Sequence, residues 1–344
     1  MKHYQSYIIF LYSLCAFAQQ NDPIKGYKNY IENEQMIGEH KLESHASFSS
    51  FSSEENLKDK QPEFYQLLDG IWKFNWVKNP KKRPVNFMHP KTDVSHWSNI
   101  KVPSNWEVEG FGIPIYVNHQ YEFSDYKAMV ADDMELVDTY YPKDPGNVPD
   151  NYNPVGSYRR EFTINKSWNN KEVFLHIGAL KAGGFVWLNG IYIGYSQGSK
   201  LPTEFNITKA AKAGKNTLAI QVFRWTDGSY LECQDFWRIS GIERSVYVYA
   251  QPKVRLQDFE VTSTLDDAYK NGVFHLSTTI ENHLSKNKKG FLSYTILDEY
   301  LNKIISEEKN ITIQKNNKQT ISFSGTIPNV KTWNAEHPNL YTLL

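Results

Sequence analysis

The stretch Gly184-Phe185-Val186-Trp187-Leu188-Asn189-Gly190-Ile191-Tyr192-Ile193-Gly194-Tyr195 decides the fold class. Two runs of branched and aromatic residues flank Asn189-Gly190. A type I′ turn needs positive φ at both central positions, which Asn and Gly tolerate, so the pair predicts a two-residue hairpin. Similar short runs recur on both sides: Ile71 to Trp76, Arg159 to Ile164, Glu172 to Ile177, Thr217 to Phe223 and Ser245 to Tyr249. In the first of these, Trp72, Phe74 and Trp76 alternate with Ile71, Lys73 and Asn75, the period of a strand. Many short strands with turns between them and little helical period indicate an all-β jelly-roll sandwich. It is expected over 61–251, ending where Gln251-Pro252 breaks the last strand.

A second β pattern starts at Val254 and includes Val261. Further candidates are Phe274 to Ile280, Gly290 to Leu297, Lys303 to Ile305, Asn310 to Ile313 and Gln319 to Ser324. That spacing predicts an immunoglobulin-like sandwich over 252–344, without the cysteine pair of antibody domains. Leu340 to Leu344 reads as a strand with no partner after it. An unpaired edge is a liability, so the sandwich is expected to be truncated in its last strands.

Before the first sandwich, residues 19–60 lack periodicity and are rich in serine, as at Ser44, Ser47, Ser49 and Ser50. They predict an extended arm against the first domain. Residues 1–18 read as a signal peptide. Lys2 and His3 precede an apolar run from Tyr7 to Ala18, too short to span a bilayer, and Ala16-Phe17-Ala18 offers a cleavage site before Gln19. The rival reading is a buried first helix. Export to the periplasm or exterior follows from the first reading. Cys233 is then the only cysteine, which forbids an internal disulfide and is read as inert. No other run is long and apolar enough to predict a membrane span. Lys plus Arg equal Asp plus Glu at 38 each, with no long block of one sign, which argues against a nucleic-acid partner.

The most informative loop runs from Arg224 to Ile242. It holds Asp227, Glu232 and Asp235, Arg224 and Arg238, and Trp225, Tyr230 and Trp237 between two apolar runs. Aromatic faces stack on the C–H faces of a sugar while carboxylates accept from its hydroxyls, so this loop is read as a recognition element. Blander readings stand beside it. Asp235 can pair with Arg238 or Arg244 as a structural salt bridge. Asn118 can cap a turn. Trp72, Trp76, Trp187, Trp225 and Trp237 fit a core. Asp227 and Glu232 share one loop and make a poor acid/base pair. The histidines, His40 and His45 included, show no metal spacing and receive no role.

Several segments resemble the large bacterial β-galactosidases of glycoside hydrolase family 2. They are Leu68-Asp69-Gly70-Ile71-Trp72-Lys73-Phe74, Pro103-Ser104-Asn105-Trp106-Glu107, Asn153-Pro154-Val155-Gly156-Ser157-Tyr158, the hairpin with Gly194 to Phe205, the 224–242 loop, and Trp333 to Tyr341. Their order and spacing cover about Tyr30 to Leu344. The resemblance implies a jelly roll, an immunoglobulin-like sandwich, and then a catalytic (β/α)₈ barrel bearing two glutamates of a retaining mechanism. A barrel needs about 200 residues or more, and none remain for it here. The catalytic glutamates and the family's Mg2+ ligands therefore have no counterpart in this sequence, and the chain alone is expected to be inactive. By resemblance, Asn118 reaches into the galactose pocket, and Asp235 contacts the sugar's 6-hydroxyl and a sodium ion (Na+). The longer 125–150 segment departs from the pattern. The parent is expected to be a homo-oligomer acting on β-galactosides. Alternatives are a non-catalytic carbohydrate-binding or assembly module, or part of a β-glucuronidase or β-mannosidase of the same family.

Overall fold

The computed structural model describes residues 22–58, 62–117, 121–123, 144–150, 152–232 and 234–344. The leader expected at 1–18, Asn118, Cys233 and most of the 125–150 segment lie outside them. No helix among the described residues is long and apolar enough to cross a membrane.

Asn189 at φ 56° and Gly190 at φ 85° close the hairpin between Gly183–Leu188 and Ile191–Gln197. A seven-stranded antiparallel sheet grows from it. Its order is Gly38–Glu39, Ile191–Gln197, Gly183–Leu188, Gly214–Phe223, Val155–Ile164, Gly70–Val77, Ser98–Val102. A four-stranded sheet packs against it, in the order Thr203–Asn206, Glu172–Ile177, Val246–Gln251, Tyr65–Leu67. One core joins the two: Phe74, Val186, Leu188 and Ile220 from the larger sheet meet Leu175, Ile177, Phe205 and Val248 from the smaller.

The larger sheet is also covered on its other face. Phe185, Trp187, Ala219 and Phe223 enter a second cluster with Tyr27, Ile31, Phe87 and Trp97. Alternate residues of a strand point to opposite faces, so one strand feeds two cores. Gly183–Leu188 accordingly has no exposed position.

The second sandwich packs two three-stranded sheets around Phe274, Leu276, Tyr294, Ile296, Ile321 and Phe323. One sheet is Val254–Leu265, Gly272–Asn282, Asn317–Ile327; the other is Lys303–Ile313, Lys288–Leu297, Thr342–Leu343. One sequence expectation needs correction here. The runs at 303–305 and 310–313 form one strand. The polar residues between them alternate faces: Ser306 and Glu308 point to solvent while Lys309 lies over the Phe323 ring, 4.6 Å from its centroid. The terminal run pairs with a strand earlier in the chain, Leu343 with Ile296 and Thr342 with Leu297, and stands at the edge of its sheet.

The segment before the first sandwich touches both domains. Gly38–Glu39 is the edge strand of the larger sheet, and the Leu42 N–H donates to the Glu204 carbonyl at 2.9 Å. The Ala46 N–H donates to Asp258 Oδ1 at 2.8 Å on the second sandwich.

Candidate functional site

The loop after strand Gly214–Phe223 is fastened to the segments at 103–107, 153–158 and 194–205. The Asn153 side chain donates to the Trp225 carbonyl and accepts from the Trp225 N–H, each at 3.0 Å. Asp227 accepts from Gln197 Nε2 and from the Gly228 N–H. Glu232 accepts from the Ser199 N–H at 2.8 Å and the Ser199 hydroxyl at 2.6 Å. Asp227 and Glu232 are thus occupied in holding the loop to residues 197–199. Trp106 is fully buried, with its indole N–H donating to the Tyr158 hydroxyl. Beside it the Glu107 carboxylate accepts from the Ser240 N–H at 2.8 Å.

Beneath the loop lies a buried charge network. Arg224 is fully buried and sits 3.2 Å from Glu107 Oε1 and 3.6 Å from Glu122 Oε2. Lys181 approaches Glu122 at 3.7 Å and Glu232 at 4.0 Å. Burial pushes the Glu107 carboxyl up, against the pull of the Arg224 guanidinium. The same guanidinium donates to the Ile113 carbonyl at 3.3 Å and the Arg238 carbonyl at 2.9 Å. One side chain therefore ties together the Glu107 turn, the approach to strand Ile115–Val117 and strand Phe236–Arg238.

Those two strands form a separate ribbon, in the register Phe236 to Val117, Trp237 to Tyr116, Arg238 to Ile115. A two-stranded ribbon has one face in and one face out. Arg238 is buried, whereas Trp237 is 54 % exposed and Tyr116 43 % exposed. Their rings meet edge to face with centroids 5.7 Å apart. Exposed Asp235 accepts from the Tyr116 hydroxyl, and this carboxylate pushes the tyrosine's pKa above its usual value. The Arg238 guanidinium donates to the Glu232 and Gln234 carbonyls, with the Glu232 bond at 2.7 Å. A carboxylate, a phenol and an indole thus face solvent together, the set of groups that can accept from sugar hydroxyls and stack on a sugar's apolar face.

Asp235 therefore stands in an accessible position on the ribbon. Asn118 lies outside the described residues. Val117, the residue before it, pairs with Phe236, the residue after Asp235. Trp72, Trp187 and Trp225 are core residues and Trp76 is partly buried against the core, while Trp237 is not a core residue. Tyr116 was missed as a site residue. Its signal is the alternation that places it opposite Trp237, visible only once the ribbon's pairing is known. As a hard oxygen ligand, Asp235 suits a sodium ion. Among the described residues, no three or more His, Cys, Asp or Glu side chains gather to hold a metal.

Residues 65–252 match the family model described as the glycosyl hydrolases family 2 sugar binding domain, and residues 254–344 match a glycosyl hydrolases family 2 model. A β-galactosidase of Priestia megaterium is 34 % identical over 326 residues, covering 94 % of this chain and 30 % of its own length. A β-galactosidase of Lactobacillus delbrueckii subsp. bulgaricus is 33 % identical over 305 residues, covering 86 % and 27 %. The chain thus spans less than a third of these relatives. Among solved structures, a Bacteroides uniformis β-glucuronidase superposes with a TM-score of 0.63 at 20 % identity, covering 81 % of this chain and 30 % of that one. That likeness speaks to the fold.

Proposed function

The chain belongs to glycoside hydrolase family 2, and from that premise we propose that it is the N-terminal part of an exported β-galactosidase. In the complete protein, terminal β-D-galactose is hydrolysed with retention by two carboxylates on a barrel outside this chain. This chain supplies sugar selection. Asp235 accepts from a sugar hydroxyl and offers one oxygen to a sodium ion; Asn118 binds the same sugar; Tyr116 and Trp237 line the approach. A bound sodium ion would add a fixed positive charge for a sugar oxygen. The complete protein is read as a homo-oligomer. Export follows from residues 1–18, whose removal the intact mass of protein recovered from source cells reports.

The observation that carries this reading is the exposed Asp235 carboxylate, flanked by exposed Tyr116 and Trp237 on a ribbon that buried Arg224 holds in place.

The test is Asp235→Ala in the complete protein. A hydrogen bond to a charged group contributes about 1.5–3 kcal/mol, so kcat/KM for a β-galactoside should fall roughly 10- to 150-fold. A fall of less than twofold would remove Asp235 from the site.

A further inference from the structure

A cleft of about 830 Å³ opens where the N-terminal arm, the four-stranded sheet and the second sandwich meet. In its wall stands Glu204, on edge strand Thr203–Asn206. Its carboxylate takes three partners. His176 Nδ1 at 2.7 Å and the Tyr249 hydroxyl at 2.8 Å come from the same sheet. His45 Nε2, at 2.8 Å, comes from the arm. The other nitrogen of His45, Nδ1, faces the Ala46 carbonyl at 2.8 Å. Both ring nitrogens therefore face oxygen acceptors. Neutral imidazole has one N–H and can donate to one of them; only the protonated ring donates to both.

Ala46 carries the connection onward. Its N–H donates to Asp258 Oδ1 at 2.8 Å, and two residues later the Phe48 ring meets Phe259 edge to face at 5.9 Å. His45 thus stands in the middle of a line from the first sandwich through the arm to the second.

We propose that His45 is a proton-operated clasp. Protonated, it fastens the arm to Glu204 and, through Ala46, to Asp258; neutral, it releases the arm and loosens the junction between the two sandwiches.

The surrounding charges favour the protonated ring or are paired elsewhere. Asp258 adds a second negative charge from the second sandwich. Across the cleft, Arg255 pairs with Glu172 and Glu281, and His283 contacts both of these carboxylates. On the arm, Glu43 pairs with Lys318, and burial lowers the Lys41 pKa. On the sheet, Tyr247 stacks on His176 at 4.3 Å and Tyr65 lies against Tyr247; burial raises both tyrosines, which keeps them neutral.

The bond to Glu204 holds the His45 imidazole up at about 8, against the effect of burial. Burial pushes Glu204 up, but its bonds from His176, His45 and Tyr249 outweigh this and bring it down to about 2. His45 is raised in the folded protein above its free value of 6.5. Its contribution is therefore whole below pH 6.5 and lost as pH rises through about 8. Glu204 is lowered, so its contribution is whole above its ordinary value of 4.5 and lost as pH falls through about 2. The clasp is fully closed between pH 4.5 and 6.5.

The experiment is hydrogen exchange of the Ala46 amide in the purified chain, corrected for intrinsic exchange, together with NMR titration of the His45 ring. Protection should be flat at mildly acidic pH. It should then fall by up to about thirtyfold toward pH 9, since a rise from 6.5 to about 8 is 1.5 pKa units and each unit is tenfold. His45→Ala should abolish that step while leaving the arm docked through Gly38–Glu39 and the sheet amide of Leu68, bonded to the Val246 carbonyl, protected. Ala46 protection unchanged between pH 6 and 9, or a His45 ring that titrates at or below 6.5, would overturn the proposal.

Discussion

Arg224 holds the Asp235 ribbon from below by touching four segments at once. Replacing it with methionine removes the charge at a similar volume, leaving Glu107 buried without its cation and Glu122 with Lys181 alone. Breaking one side of a buried pair costs about 3–5 kcal/mol, and urea unfolding of Arg224→Met should show a loss of that order. Arg224→Lys should recover little, because an ammonium lacks the fork that spans two carboxylates and two carbonyls. A loss under about 1 kcal/mol for the methionine variant would mean that the network is not a support. At this scale the sequence was partly legible. Asp235 stood out because its loop concentrates charge and aromatics. Trp237 did not, because an indole in a short strand gives no sign of which face it takes. Only the pairing with Ile115–Val117 turns Trp237 outward and Arg238 inward. His45 was illegible for a similar reason: its partner, Glu204, is 159 residues away.

At the level of elements, the sandwich depends on positions where strands leave no room. Gly156, in strand Val155–Ile164, lies against the rings of Trp106 and Phe74 so closely that a Cβ would overlap both. Neither ring can give way, since each is fully buried. Gly156→Ala should therefore cost about 1–3 kcal/mol, the usual effect of overpacking a core, read as a lower midpoint in chemical denaturation. An unchanged midpoint would contradict this packing. The strands themselves were legible where alternation is clean, as in Gly272–Asn282, where every second residue is buried. The hairpin was legible from Asn189-Gly190 alone. Strand Lys303–Ile313 was not read as one piece, because its solvent face carries Ser306 and Glu308 and its inner face uses the Lys309 stem in place of an aliphatic residue. The double burial of the larger sheet was hidden too, since the layer that covers it comes from a turn and short helix at 22–31 and the irregular segment 84–97.

For the molecule as a whole, two β-sandwiches and an arm spanning them make up a chain that covers less than a third of its β-galactosidase relatives. Within it, the exposed Asp235 carboxylate beside the ribbon and the exposed Tyr116 and Trp237 on it offer hydrogen-bond acceptance and stacking. The proposal is that this portion chooses the sugar and another portion cleaves it. The most direct measurement of the claim is kcat/KM of the complete protein on aryl β-D-galactoside, β-D-glucuronide and β-D-mannoside, with the purified 344-residue chain assayed alongside. The account predicts that the galactoside is strongly preferred by the complete protein and that the chain alone releases no sugar. Preference for the glucuronide or mannoside, or hydrolysis by the chain alone, would contradict it.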